Sequence, residues 1–180
     1  SDLFFKSIDS MLANINFSTV YEAGCGEGYI SQHLYRSIGR KIEITASDIS
    51  RKVIEKARKE FPHLKFKVNS IYKLEEENGS YDLVVASEVL EHLEYPEEAL
   101  EELFRISKQY VFVSVPHEPI WRIANFLRGK YWLSLGNTPG HIQHWNKNKI
   151  IKLVSKYGDI RSVNTPFPWI MILSEKRNLK

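Results

Sequence analysis

The sequence predicts a doubly wound α/β fold, and two patterns predict it. Short β-branched, apolar runs alternate with stretches of helical period along the 180 residues, the signature of a parallel sheet covered by helices on both faces. A glycine-rich turn then joins the first run to the helix after it, and an acid closes the second run about 20 residues further on. Composition agrees with a soluble core-forming chain. With 43% hydrophobic and 26% charged residues the chain is too apolar to be disordered, and no apolar run approaches the roughly 18 residues of a membrane span.

The elements follow in order. Leu3, Phe4, Ile8, Met11, Leu12 and Ile15 share one face of an opening helix. Strands are expected at 19–23, 42–47, 65–69, 81–87 and 110–115, with helices at 29–38, 51–60 and 96–107 between them. Ser50 stands where an N-cap belongs, Pro62 follows the end of the third helix, and Pro96 opens the fourth with Glu97 and Glu98 suiting its dipole. Beyond Val115, six Pro and Gly residues punctuate a stretch rich in Trp, Tyr, Asn and His, which reads as a lid inserted over 116–146 with a helical part at 119–127. A helix at 147–157 carries Ile150, Ile151, Val154 and Tyr157 on one side and is closed by Gly158. The runs 160–164 and 169–173 are separated by Thr165-Pro166-Phe167-Pro168, too short for a parallel crossover, so this last pair is antiparallel. The whole of 1–180 reads as one domain.

Charge divides the chain. The formal total is only +3, yet residues 1–118 hold 14 basic and 20 acidic side chains and 119–180 hold 11 and 2. Either the basic part meets an anionic partner or the asymmetry is a solvated face. The single cysteine, Cys25, permits no internal disulfide, and a reducing, cytoplasmic setting is the expectation.

Chemistry concentrates at Tyr21-Glu22-Ala23-Gly24-Cys25-Gly26-Glu27-Gly28. Alternate glycines can take positive φ and let backbone amides approach a ligand at the start of a helix, although a tight strand–helix turn would use them too. The acid at Glu22 distinguishes this loop from pyrophosphate-binding ones, because a carboxylate there repels phosphate and suits a cation. Asp48 ends the second run where an adenosine ligand places its ribose hydroxyls; its alternative role is a turn residue before Ser50.

With these residues the chain resembles the class I S-adenosylmethionine-dependent methyltransferases. The match is carried by 20–28 for the glycine loop, 46–50 for the ribose acid, 68–71 for the adenine-contacting end of the third strand, and Tyr81-Asp-Leu-Val-Val-Ala-Ser-Glu-Val-Leu-Glu-His-Leu-Glu-Tyr-Pro-Glu-Glu98, which is similar to the small-molecule O-methyltransferases. The resemblance implies a seven-stranded, Rossmann-like sheet with a last antiparallel strand, and S-adenosylmethionine as cofactor. It implies that Glu22, Gly24, Cys25, Gly26, Gly28, Asp48, Ile49, Asn69, Ser70, Ile71, Ser87 and Glu88 bind that cofactor. Asn69 departs from relatives that carry an acid there; its amide oxygen can accept the same hydrogen bond from adenine.

The reaction so implied is in-line methyl transfer, in which the protein aligns the nucleophile and removes its proton. His92 and His144 are the base candidates. Substrate contacts are expected from His117, Trp121, Arg122, Tyr131, Trp132 and His141 in the lid, where aromatics beside cations suit an anionic, glycosidic or lipid-linked acceptor. Glu88, Glu91 and His92, spaced i, i+3, i+4, would share a helical face. Together with His141 they resemble the metal-binding set of small-RNA 3′-terminal 2′-O-methyltransferases; alternatively Glu91 and His92 cap and solubilise the helix, no metal being expected. A non-catalytic S-adenosylmethionine-binding subunit is a third class. Base-amino methylation fits less well, since Ser87-Glu88-Val89-Leu90 replaces an Asn/Asp-Pro-Pro-aromatic motif.

Overall fold

The computed structural model describes residues 2–38, 41–117 and 142–177. Among the described residues seven strands form one sheet: β1 (Thr19–Ala23), β2 (Glu43–Asp48), β3 (Lys65–Val68), β4 (Tyr81–Ser87), β5 (Ser107–Pro116), β6 (Gly158–Asn164) and β7 (Trp169–Lys176). Their order is β3-β2-β1-β4-β5-β7-β6. Neighbours among β1–β5 pair in parallel, and β7 runs antiparallel between β5 and β6. The chain thus moves outward from β1 to β3, returns to β4 on the other side of β1, and leaves a crevice between the carboxyl ends of β1 and β4.

Alternation along the strands builds two cores. On one face Val20, Ile44, Leu83, Val85, Phe112 and Leu173 pack with Phe4, Ile8, Leu34 and Ile54 from the helices α1 (Asp2–Leu12), α2 (Tyr29–Ser37) and α3 (Arg51–Glu60). On the other, Tyr21, Val84, Ala86, Val111, Val113 and Ile172 pack with Leu100 and Leu103 of α4 (Pro96–Ile106) and Ile150 and Val154 of α5 (Lys147–Val154). Residues 83 and 85 face one layer and 84 and 86 the other, the period of two that strand geometry imposes. Ile150 is fully buried, and truncating it to Ala would cost about 2–5 kcal/mol.

Local signals set the boundaries. The Ser50 hydroxyl accepts from Val53 N at 3.4 Å and Asn146 Oδ1 from Lys149 N at 2.9 Å, so both act as N-caps. Pro96 opens α4 as expected. Four sequence expectations need correction. The opening helix stops at Leu12, and Ile15 N closes it by donating to Leu12 O. The helix at 147 ends at Val154, and Gly158 does not close it but opens β6, where a Cβ would meet Glu175 O and the Phe104 ring at 2.6 Å. Strand β5 starts directly at Ser107 and takes in Pro116, which moves the start of the proposed lid beyond that residue. Finally, the stretch after β4 is not an α-helix but a bend followed by a 3-10 turn, Leu90–His92. The expected helix at 119–127 lies outside the described residues. Among the described residues no helix is long and apolar enough to cross a membrane.

Candidate functional site

The turn after β1 is built from backbone that only glycine takes without cost. Gly24, Gly26 and Gly28 have φ of 73°, 53° and 86°, and Gly28 is the N-cap of α2. At Gly24 a Cβ would stand 2.5 Å from Val89 Cγ2, so that glycine lets the turn touch the segment after β4. At Gly26 nothing lies within 4 Å, and the space is open for a ligand.

Asp48, at the end of β2, ties the turn to its neighbour. Its Oδ2 accepts from Gly26 N at 3.1 Å and its Oδ1 from Ser50 N at 2.9 Å. A carboxylate offers about four lone-pair positions, so each oxygen keeps one for a ligand. Cys25 N donates to Ser47 O at 2.8 Å and holds the turn against the same strand. The third wall comes from the chain after β3. There Asn69 is buried, its Oδ1 accepts from Ser70 N at 3.0 Å, and its Nδ2 is among the buried atoms without a hydrogen-bond partner. Arg105 fixes where this wall runs, donating to Leu74 O at 2.8 Å while its partner Glu102 accepts from Leu74 N at 2.8 Å. The fourth wall is Glu88 and the 3-10 turn. Glu88 itself has φ 57°, a left-handed conformation in a non-glycine residue. Its N–H donates to Ser114 O at 2.9 Å and its carboxylate accepts from the Trp169 indole N–H.

These walls enclose a cavity of about 320 Å³ at the carboxyl ends of β1–β4. Eight of the expected site residues line it: Gly24, Asp48, Ile49, Asn69, Ser70, Ile71, Glu88 and His92. Cys25, Gly26, Gly28 and Ser87 do not line it; they shape the turn and the end of β4, Ser87 Oγ lying 2.6 Å from Ser114 Oγ. Glu22 lies beneath the turn at 1% exposure, accepting from the Ser31 hydroxyl. His117 donates its N–H to Pro168 O, and His144 is exposed on the segment leading into α5; neither lines the cavity. Trp121, Arg122, Tyr131, Trp132 and His141 lie outside the described residues. Sequence reasoning missed Tyr72, Val89 and Leu93, which complete the lining. Tyr72 follows the adenine-contacting stretch directly, and the other two sit inside the quoted fourth motif, so position beside known motif residues was the available signal.

Burial sets the electrostatics. It pushes the Glu22 carboxyl up to about 7 against the hydrogen bond from Ser31, with Asp48 adding repulsion. Glu91 is 1% exposed and is pushed up to about 8 by burial, its own backbone opposing and Glu88 adding to the rise. That corrects the expectation that Glu91 solubilises a helix: its side chain points inward and its backbone oxygen accepts from Ile142 N and Gln143 N. Desolvation at the cavity wall also raises the carboxyl of Glu88, although the residue as a whole is exposed, with the Trp169 N–H and His92 opposing. Among the described residues no three His, Cys, Asp or Glu side chains are grouped to hold a metal.

The family model described as a methyltransferase domain matches residues 3–158. The chain belongs to this methyltransferase family. Its seven-stranded, Rossmann-like sheet with an antiparallel last pair is the one that the resemblance to the class I S-adenosylmethionine-dependent methyltransferases implied. Over 99 residues it is 33% identical to the mitochondrial ubiquinone biosynthesis O-methyltransferase of Saccharomyces cerevisiae, which covers 53% of this chain and 31% of that protein. It is 35% identical over 99 residues to the hybrid PKS-NRPS synthetase traA of Penicillium crustosum, covering 49% of this chain and 2% of that protein. The chain therefore spans less than a third of either relative. Its fold is similar to a putative methyltransferase solved in complex with the Haloferax volcanii Trm112 activator (TM-score 0.77, 16% identity, 99% of this chain and 92% of the other). It is also similar to magnesium protoporphyrin IX methyltransferase of Synechocystis PCC 6803 with bound SAH (TM-score 0.73, 18% identity, 98% and 84%).

Proposed function

We propose that this methyltransferase moves the methyl group of S-adenosylmethionine to an oxygen of a small-molecule, glycosidic or lipid-linked acceptor. One observation carries the cofactor half of this reading: the cavity joins a glycine turn, a half-satisfied Asp48 carboxylate and a buried Asn69 amide at the crevice between β1 and β4. The residues fit the cofactor. Open space above Gly26 admits its backbone, the remaining Asp48 lone pairs suit two ribose hydroxyls, and the apolar side chains of Ile49, Ile71 and Leu93 suit a flat base. The sulfonium supplies the electrophilic methyl group. The chain's own residues orient and exclude water, and a base near the end of β4 takes the acceptor's proton. His92 lines the cavity, which supports it in that role; His144 is the second candidate on the segment entering α5.

Oxygen as the methylated atom is supported by the similarity to the yeast ubiquinone O-methyltransferase. The metal-dependent RNA-terminal reading has less support, because it needs the Glu91 carboxylate in the open and that side chain is buried. A tritiated-methyl screen against fractionated small molecules, glycans, lipids and RNA tests the proposal, with calorimetric titration of S-adenosylmethionine alongside. We expect cofactor binding and a labelled small or lipid-linked product; labelled RNA, or binding with no labelled product in any fraction, would overturn the acceptor assignment.

A further inference from the structure

Glu88 is held in place from outside the cavity that it lines. Its left-handed backbone costs about 1 kcal/mol or more and persists only where neighbours over-determine it. Two neighbours do so: Ser114 O takes its N–H, and the Trp169 indole N–H reaches its carboxylate. Trp169 is the first residue of β7, paired in register with Pro116 at the end of β5. Its backbone N–H donates to Pro166 O at 2.6 Å, and its ring meets Phe4 of α1 edge-on with centroids 4.9 Å apart. The indole therefore has little freedom to turn, and its N–H direction is set by three separate elements. His117 N donates to Pro168 O at 2.9 Å and binds the same corner to the end of β5.

We propose that Trp169 is a positioning residue for Glu88: its N–H fixes one carboxylate oxygen, and the other is thereby directed to the border between the cofactor cavity and the acceptor. The proposal rests on reading that cavity as the cofactor site. A hydrogen bond from a neutral donor to a carboxylate is directional, so the carboxylate plane, and not only its position, is set from β7. The acceptor's hydroxyl would then meet a carboxylate that needs no reorientation when the methyl group moves.

Two measurements test this. The chain has four tryptophans, so its nitrogen-labelled indole groups give four resonances, and Trp169→Phe identifies the one concerned. In the unliganded protein that resonance should lie downfield and exchange slowly, and Glu88→Ala should shift it upfield and speed its exchange. With an acceptor from the methyl-transfer screen, Trp169→Phe keeps a ring against Phe4 and should lower kcat by about tenfold or more while KM and cofactor affinity stay within about twofold. Combining it with Glu88→Ala should cost no more than Glu88→Ala alone. Phe4→Leu, which keeps the indole N–H, should have a smaller effect on kcat than Trp169→Phe. An indole resonance unmoved by Glu88→Ala, or additive losses in the double variant, would overturn the proposal. A resonance that responds to Glu88→Ala in a protein that binds no cofactor would leave the contact standing and sink the cofactor reading instead.

Discussion

The turns after β1 and β4 stand side by side and solve the same problem in different ways. Both leave neighbouring central strands at the crevice, and both need positive φ to bring backbone up to it. After β1 three glycines supply that backbone. After β4 a glutamate does, held by Ser114 O and Trp169. Each turn also keeps a buried acid close by, Glu22 two residues before Gly24 and Glu91 three after Glu88. The lesson is that the first turn takes its left-handed backbone from its own glycines and is then tied to Ser47 and Asp48 of β2, whereas the second holds a non-glycine residue in that conformation through residues 26 and 81 positions away. The two also lean on each other, since Val89 occupies the space that a side chain at position 24 would need.

The buried acids give the largest expected effect. Glu22 ionises at about 7 in the folded chain against 4.5 ordinarily, so the native state holds the proton more tightly than the unfolded one. Its stabilising contribution is complete below pH 4.5 and is lost as pH rises through about 7; Glu91 behaves likewise through about 8. Stability measured by urea unfolding should therefore fall between pH 5 and 8, with Glu22 accounting for about 3 kcal/mol. Glu22→Gln should flatten the lower part of that slope, and an unchanged slope would show that Glu22 is ionised under the turn.

Next comes the contact between the turns. Gly24→Ala combines φ 73° with a 2.5 Å approach to a stiff Val side chain and should destabilise the chain by about 2 kcal/mol in the same assay. Val89→Ala added to it should recover part of the loss; if it recovers none, backbone conformation alone dominates. Asp48→Ala should weaken S-adenosylmethionine binding by about 1–2 kcal/mol in calorimetry, because it removes a charged acceptor and frees the Gly26 amide. Gly26→Ala should cost the fold only about 1 kcal/mol, its Cβ facing open space, yet lose cofactor affinity. The smallest effect sharpens the comparison most. Glu88→Gly relieves the left-handed backbone but loses the bond from Trp169, so stability should change by less than about 1 kcal/mol while methyl transfer falls.

Most of the architecture was legible because it rests on short-range pattern. The short apolar run within 81–87 foretold a strand, Ser50 and Pro96 marked helix starts, and a four-residue link made the last pair antiparallel. Boundaries slipped where a tertiary contact intervened, as at Gly158, whose missing side chain serves the packing of Phe104 against β7 and not the end of a helix. In the site, Gly24 and Asp48 were found from spacing and Asn69 and Glu88 from the family resemblance, while Tyr72, Val89 and Leu93 were not found, because nothing in such a side chain's sequence neighbours says whether it faces a core or a cavity.

By itself, then, the sequence determined the sheet, the glycine turn and the acid that answers it, since periodicity and the conformational freedom of glycine act within a few residues. Only the tertiary structure decided that Glu22 and Glu91 are buried, that Glu88 takes a left-handed backbone, and that Trp169 reaches it from β7. Desolvation and hydrogen-bond direction depend on which distant atoms surround a group, and the chain's local order does not record them.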